Sequence, residues 1–241
     1  MSAVLLLGAT GATGRLAVQQ LLTKGFDVHA VVRSRQRLPS DVLDNPKLTI
    51  IEASVLDLSD QQMADLVLDK EAVIQCLGHN ITLMGMYGRP RDLCTQASRR
   101  ICSAIEKTKP EAPVKYILMN TCGVGNADGS DEHVRSMAQN VLLWLLTVLL
   151  PPMKDNVEAS HYFSLDVGQN NQYLEWCTVR PDTLIDDDVS EYELHPGLIQ
   201  GLFDTSKTSR ANVALFMCEL LDSDTWQKWK FKLPYIINKH Q

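Results

Sequence analysis

Gly8, Gly11 and Gly14 recur at a spacing of three directly after the apolar run Val4-Leu5-Leu6-Leu7, and no other stretch of the chain is better suited to holding an anion. A buried strand ending at Leu7, a tight glycine turn and a helix opening near Gly11 would aim unpaired N–H groups at a diphosphate. The segment Gly8-Ala9-Thr10-Gly11-Ala12-Thr13-Gly14 therefore predicts a dinucleotide site, for NAD or NADP. Its G-x-x-G-x-x-G spacing differs from the G-x-G-x-x-G of lactate-type dehydrogenases, so the flanking elements must carry the reading. They do: Leu16, Val18, Leu21 and Leu22 mark an amphipathic helix stopped by Lys24-Gly25, and residues 27–33 read as a second strand.

That second strand discriminates between the two cofactors. An Asp or Glu about twenty residues beyond the glycines binds the adenosine ribose of NAD, whereas Arg accommodates the 2′-phosphate of NADP. Here the strand runs into Arg33-Ser34-Arg35-Gln36-Arg37, with no carboxylate at its end. A guanidinium fork suits a phosphate, which favours NADP(H) over NAD(H), with Arg33 as the contact and Arg37 second.

The elements that must position these residues alternate along the chain. Strands are predicted at 48–52, 72–77, 114–120 and 174–180, and helices at 60–69, 91–107, 132–150 and 155–167. This pattern is α/β, a doubly wound parallel sheet (Rossmann fold) with ligands at the carboxyl edge of the strands. Residues 181–241 differ in texture, with an acidic turn at Asp186-Asp187-Asp188, a helix over 211–221 and a last strand within 226–237. They read as a small carboxy-terminal, substrate-side lobe integrated with a Rossmann domain over 1–180.

A hydrophobic content of 45% with 22% charged residues in 241 is enough for a full globular core. The formal net charge of −6 argues against nucleic acid as a partner. The six cysteines are scattered without a C-x-x-C pair or metal-ligand spacing, so no metal is expected and they read as reduced core thiols, Cys122 being the exception to watch. The amino terminus has no basic stretch, and its apolar run is cut by Gly8, so a cytoplasmic location is expected.

Several segments resemble the atypical short-chain dehydrogenases/reductases, in the NAD(P)H-binding group related to flavin/biliverdin reductases and nitrogen-repression regulators. They are GATGATG at 8–14, VVRSRQRL at 31–38, SVLD at 54–57, AVIQCLG at 72–78 and EWCTVRPDTLID at 175–186. The resemblance implies that Thr10, Gly11, Ala12 and Thr13 lie along the diphosphate and Arg33 beside the adenosine ribose. Ser54 and Val55 would flank adenine, with Ser54 standing where the family often has Asp. Leu77 and Gly78 would pass beneath the nicotinamide ribose, and Pro181 would border the nicotinamide.

Chemistry is harder to place. Typical members of the wider superfamily use a Ser after the fifth strand and a Y-x-x-x-K pair, in which Lys lowers the tyrosine pKa. The corresponding segments here are Asn120-Thr121-Cys122, so that Thr121 replaces the serine, and Leu150-Pro151-Pro152-Met153-Lys154, with leucine at the tyrosine position. Lys154 either reaches a cofactor ribose or stands solvated before a helix that opens with the capping-box spacing of Asp155 and Glu158. The literal Y-x-x-x-K at Tyr235 and Lys239 follows Pro234 near the chain end and reads as chance. His79 and Asn80 follow the fourth strand where substrate would meet nicotinamide, which makes His79 a candidate proton donor, with 82–90 as a lid. His133, His161 and His195 have no metal-like spacing.

Residues 141–150, VLLWLLTVLL, are apolar on every side except Thr147. Ten helical residues rise only about 15 Å, short of the roughly 30 Å hydrocarbon core, so no transmembrane span is expected. Burial beneath the carboxy-terminal lobe is the default, a homodimer interface the second reading, and a lipid-facing or lipophilic-substrate surface the third. The leading functional expectation is an NADPH-dependent reductase acting on a small conjugated or aromatic acceptor of the flavin, quinone or enone type. Its rivals are a non-catalytic NADP(H)-sensing protein and a dimeric scaffold that keeps only the fold.

Overall fold

The computed structural model describes residues 3–79, 82–204 and 206–239; Asn80 lies outside them. Strand β1 (Ala3–Leu7) leads into α1 (Ala12–Thr23), β2 (Asp27–Val32), β3 (Leu48–Glu52), α2 (Asp60–Val67), β4 (Lys70–Gln75), α3 (Leu83–Tyr87), α4 (Leu93–Thr108) and β5 (Val114–Met119). The chain continues through α5 (Met137–Leu149), α6 (Pro151–His161), β6 (Leu174–Pro181), β7 (Thr183–Ile185), β8 (Tyr192–His195), β9 (Lys207–Ser209), α7 (Arg210–Glu219), α8 (Ser223–Trp229) and β10 (Tyr235–Asn238).

Eight strands form one sheet in the order β3-β2-β1-β4-β5-β6-β10-β8, parallel throughout except where β8 runs against β10. The strand β1 reads as an unbroken apolar run because both of its faces are covered. Val4 and Leu6 belong to the core under α1, α7 and α8, and Leu5 and Leu7 to the core under α2, α4 and α6. The order reverses between β1 and β4, and at such a switch point a crevice opens beyond the carboxyl ends of the strands.

The segment after Pro181 supplies two strands to this sheet. Tyr235 and Ile236 of β10 pair with Arg180 and Pro181 of β6, and α7 packs on α1. The last strand begins only at Tyr235, because Asp222 caps α8 by accepting the N–H groups of Asp224 and Thr225. Trp226 and Trp229 then bury one face of that helix.

Two expectations change. The apolar helix is not covered by the carboxy-terminal segment: α5 packs on α6, and only Leu143 is buried. Met137, Val141, Trp144, Leu145, Val148 and Leu149 are 41–84% exposed. The reason is that the described residues after 206 fold onto the sheet edge and onto α1 rather than over the apolar face of α5. The next helix starts at Pro151, four residues before the capping-box spacing suggests. Pro151 and Pro152 fill first-turn positions that need no N–H donor, and the Asp155 carboxylate turns to another helix.

Loops above β5 and β6 are tied down by a buried ion pair. Arg180 is fully buried, with Nη1 2.6 Å from Asp131 Oδ2, and it also donates to the carbonyls of Val124 and Leu233. Asp131 accepts in addition from the N–H groups of Asn126 and Leu198. Removing one partner strands the other charge, so Asp131→Ala is expected to destabilise the chain by about 3–5 kcal/mol, read as a lower urea midpoint. A midpoint equal to that of the unchanged chain would contradict this role.

Candidate cofactor site

The glycine turn is dictated by close packing at both ends. Gly8 has φ 82, and a Cβ there would lie 2.5 Å from the Cys76 carbonyl oxygen at the end of β4. A Cβ at Gly14 would lie 2.0 Å from the Gly8 carbonyl oxygen, so the first turn of α1 rests directly on the turn it follows. Gly11 donates its N–H to the Gly8 carbonyl at 2.9 Å and caps α1 without a side-chain acceptor. The first-turn N–H groups of Ala12, Thr13 and Gly14 have no acceptor within the helix, which leaves an open anion site.

A cavity of about 850 Å³ opens in front of this helix end. Of the residues predicted for the cofactor, Gly8, Thr10, Gly11, Arg33, Arg37, Ser54, Val55, Leu77 and Gly78 line it. Ala12, Thr13 and Gly14 stand behind it in the helix turn, and Pro181 is at the end of β6, outside the lining. Arg33 and Arg37 are exposed, and among the described residues neither has a carboxylate within ion-pair distance. Sequence reasoning missed Arg100, on α4. Its Nη1 donates to the carbonyls of Val55 (3.2 Å) and Leu56 (2.5 Å), and Nη2 to that of Leu58, which fixes the loop after β3. Asp57, Gln96 and residues 89–93 also line the cavity; Asp57 closes the SVLD segment, and 89–90 fall in the stretch read as a lid, but neither is expected from sequence to meet the cofactor.

His79 is placed differently from a free proton donor. Its Nε2 lies 2.8 Å from Asp155 Oδ2, its side chain is 6% exposed, and that of Asp155 is fully buried. The same carboxylate accepts from the N–H groups of Cys94 (2.8 Å) and Thr95 (2.9 Å) and from the Thr95 hydroxyl (2.7 Å). Asp155 thus caps α4 from a distant helix, since Asp92 at the local cap position makes no capping bond. Burial works against its charge, but the hydrogen bonds from His79, Thr95 and Cys94 outweigh it and hold its pKa below the ordinary value. The hydrogen bond to Asp155 in turn raises the His79 pKa, with a backbone hydrogen bond to Gly85 acting in the same direction.

His79, Cys94 and Asp155 bring three ligand-type atoms within 4.8 Å of one another. Each already has a partner, because the Cys94 thiol donates to the Leu77 carbonyl at 3.4 Å and burial raises its pKa well above the ordinary value. The trio is a satisfied hydrogen-bond network.

Thr121 follows β5 beside Pro181, whose carbonyl accepts the Cys122 N–H at 3.0 Å. Its Oγ1 accepts from the Gly123 N–H at 3.2 Å, which leaves its own proton to donate. Burial pushes the Cys122 thiol up to about 11, so it is no thiolate nucleophile. Lys154 is 62% exposed and 3.5 Å from Glu158 on the outer face of α6. The literal Y-x-x-x-K does not assemble either. The Tyr235 hydroxyl bonds to Asp182 and Gln200, while Lys239 pairs with Glu191 at 3.1 Å.

Fold and cradle together define a dinucleotide-binding Rossmann protein. Residues 8–224 match the NAD(P)H-binding family, and the chain belongs to it. An uncharacterized chloroplastic protein of Arabidopsis thaliana is 39% identical over 75 residues, which is 31% of this chain and 27% of that protein. Among solved structures, an oxidoreductase from Lactococcus lactis superposes with a TM-score of 0.70 at 16% identity, covering 99% of this chain and 92% of that one. A short-chain dehydrogenase/reductase from Veillonella parvula, in complex with NADP, gives 0.69 at 17% identity over 99% and 94%. These likenesses establish the fold. Among the described residues no helix is long and apolar enough to cross a membrane.

The raised His79 pKa has a consequence for stability. The pair contributes fully below the ordinary histidine value of 6.5, and the contribution is lost as pH rises through the higher folded value. The urea midpoint should therefore fall as pH rises above about 6.5, and His79→Gln should flatten that fall. An identical pH dependence in the variant would contradict the pairing.

Proposed function

We propose that the protein is an NADPH-dependent reductase of the atypical short-chain class, acting on a small conjugated or aromatic acceptor of the flavin, quinone or enone type. The observation that carries this reading is the cavity itself, in which an open helix N-terminus faces two unpaired arginines at a strand end that bears no carboxylate. The glycine contacts at positions 8 and 14 fit the close approach that a diphosphate requires. When bound, the cofactor supplies a hydride from its nicotinamide.

The chain's own residues then bind and orient. Arg33, with Arg37 beside it, holds the 2′-phosphate. Ser54 and Val55, fixed through Arg100, support the adenine. Leu77 and Gly78 would hold the nicotinamide half. Thr121 donates a hydrogen bond to the acceptor. His79 is a positioning residue that locks Gly78 and α3 to Asp155, and Lys154 takes no part. With no tyrosine at position 150, the proton comes from water, which suits acceptors that do not need a strong acid. Six unpaired cysteines are in keeping with a reducing compartment such as the cytoplasm.

Reductase and sensor differ in turnover. The full chain with NADPH and a panel of quinones, flavins and enones should oxidise NADPH with at least one acceptor. Arg33→Ala should weaken NADPH binding about 10- to 100-fold and leave NADH nearly unchanged. A chain that distinguishes NADPH from NADP⁺ yet consumes neither is a sensor.

The exposed face of α5 is assigned to a second copy of the chain. Met137, Val141, Trp144 and Val148 form one stripe on a helix that has no charged residue. With Leu145 and Leu149, each more than 40% exposed, they make a continuous apolar face on one helix, the kind of surface that the core of a homodimer interface covers. Sedimentation should show a dimer that Trp144→Glu converts to a monomer. A monomeric unchanged chain would exclude it.

A further inference from the structure

We propose that Arg89 and Arg91 form a second cationic wall of the cavity and bind the cofactor's diphosphate, a role that rests on the cofactor reading above. Residues 89–93 line the cavity after β4, whereas Arg33 and Arg37 line it after β2. In the sheet β2 and β4 flank β1 on opposite sides, so the two pairs of arginines reach the glycine turn from opposite directions. Four arginines face only Asp57 and Asp92 among the lining residues, although the whole chain carries a net charge of −6. Cationic charge in an acidic protein is thus concentrated in one concave site, the arrangement that attracts and holds an anion.

Among the described residues that line the cavity after β4, Arg89 and Arg91 are the cationic ones. The open end of α4 would be another source of positive potential, but its Cys94 and Thr95 N–H groups are already taken by the Asp155 carboxylate. α1 presents unclaimed helix N–H groups to the cavity, whereas two of those of α4 are taken, and the arginines supply what α4 withholds. Arg91 donates through Nε to the Tyr87 carbonyl at 2.9 Å, which orients the guanidinium and leaves both terminal nitrogens for a ligand. Asp92 accepts from Gln96 at 2.7 Å, and among the described residues it is in no ion pair with either arginine. A diphosphate seated on the Gly8–Gly14 turn lies between the two walls. The 2′-phosphate belongs to the β2 side with Arg33.

Calorimetry on the full chain tests this with NADPH and NADH. Both arginines are exposed, so Arg89→Gln combined with Arg91→Gln should leave the thermal unfolding midpoint unchanged. The double variant should bind both cofactors about tenfold more weakly, with a shallower dependence on salt. Arg33→Gln should weaken NADPH alone. A loss confined to NADPH in the double variant would move these arginines to the 2′-phosphate and overturn the diphosphate assignment. Unchanged affinity for both cofactors would overturn the proposal while leaving the cofactor reading intact, and a wild-type chain that binds neither would overturn both.

Discussion

The contact between Gly14 and the Gly8 carbonyl sets the geometry of everything in front of it. With no Cβ at either position, α1 sits on the end of β1 closely enough that its first turn opens at the switch point between β1 and β4. A methyl group at position 14 would push the helix away from the turn, and at position 8 it would strike the neighbouring strand. The residues that line the cavity after β2, β3 and β4 face this helix end across it.

Asp155 imposes the complementary constraint on the other helix that begins near the cavity. By taking two N–H groups of α4 and the imidazole of His79, one buried carboxylate joins α6, α4 and the end of β4. The cost of burying its charge is offset by hydrogen bonds from every side. On the proposed reading, histidine in this setting orients the chain. With Leu150 at the position where a tyrosine is expected, acceptors that demand little acid catalysis are favoured on that reading.

The sheet was legible because its central strands are continuous apolar runs bounded by turn residues, and the cradle because glycine spacing and strand position coincide. What escaped depends on tertiary partners. Apolar composition at 141–150 says that the helix seeks cover but not that the following residues fold elsewhere. Asp155 and Glu158 have a capping spacing, yet the carboxylate caps a helix about sixty positions earlier in the chain. The Trp226 segment is too short for periodicity to separate helix from strand. Arg100, Arg89 and Arg91 belong to no motif, and only the fold brings them to the cavity.

The central claim is that this cradle holds a dinucleotide and prefers the 2′-phosphorylated form. Titration of the unchanged full chain with NADPH and then NADH, followed by calorimetry at one fixed salt concentration, tests it most directly. One site per chain and tighter binding of NADPH than of NADH are expected. Equal affinities would remove the arginine-based selectivity, and no heat with either would contradict the account at its root.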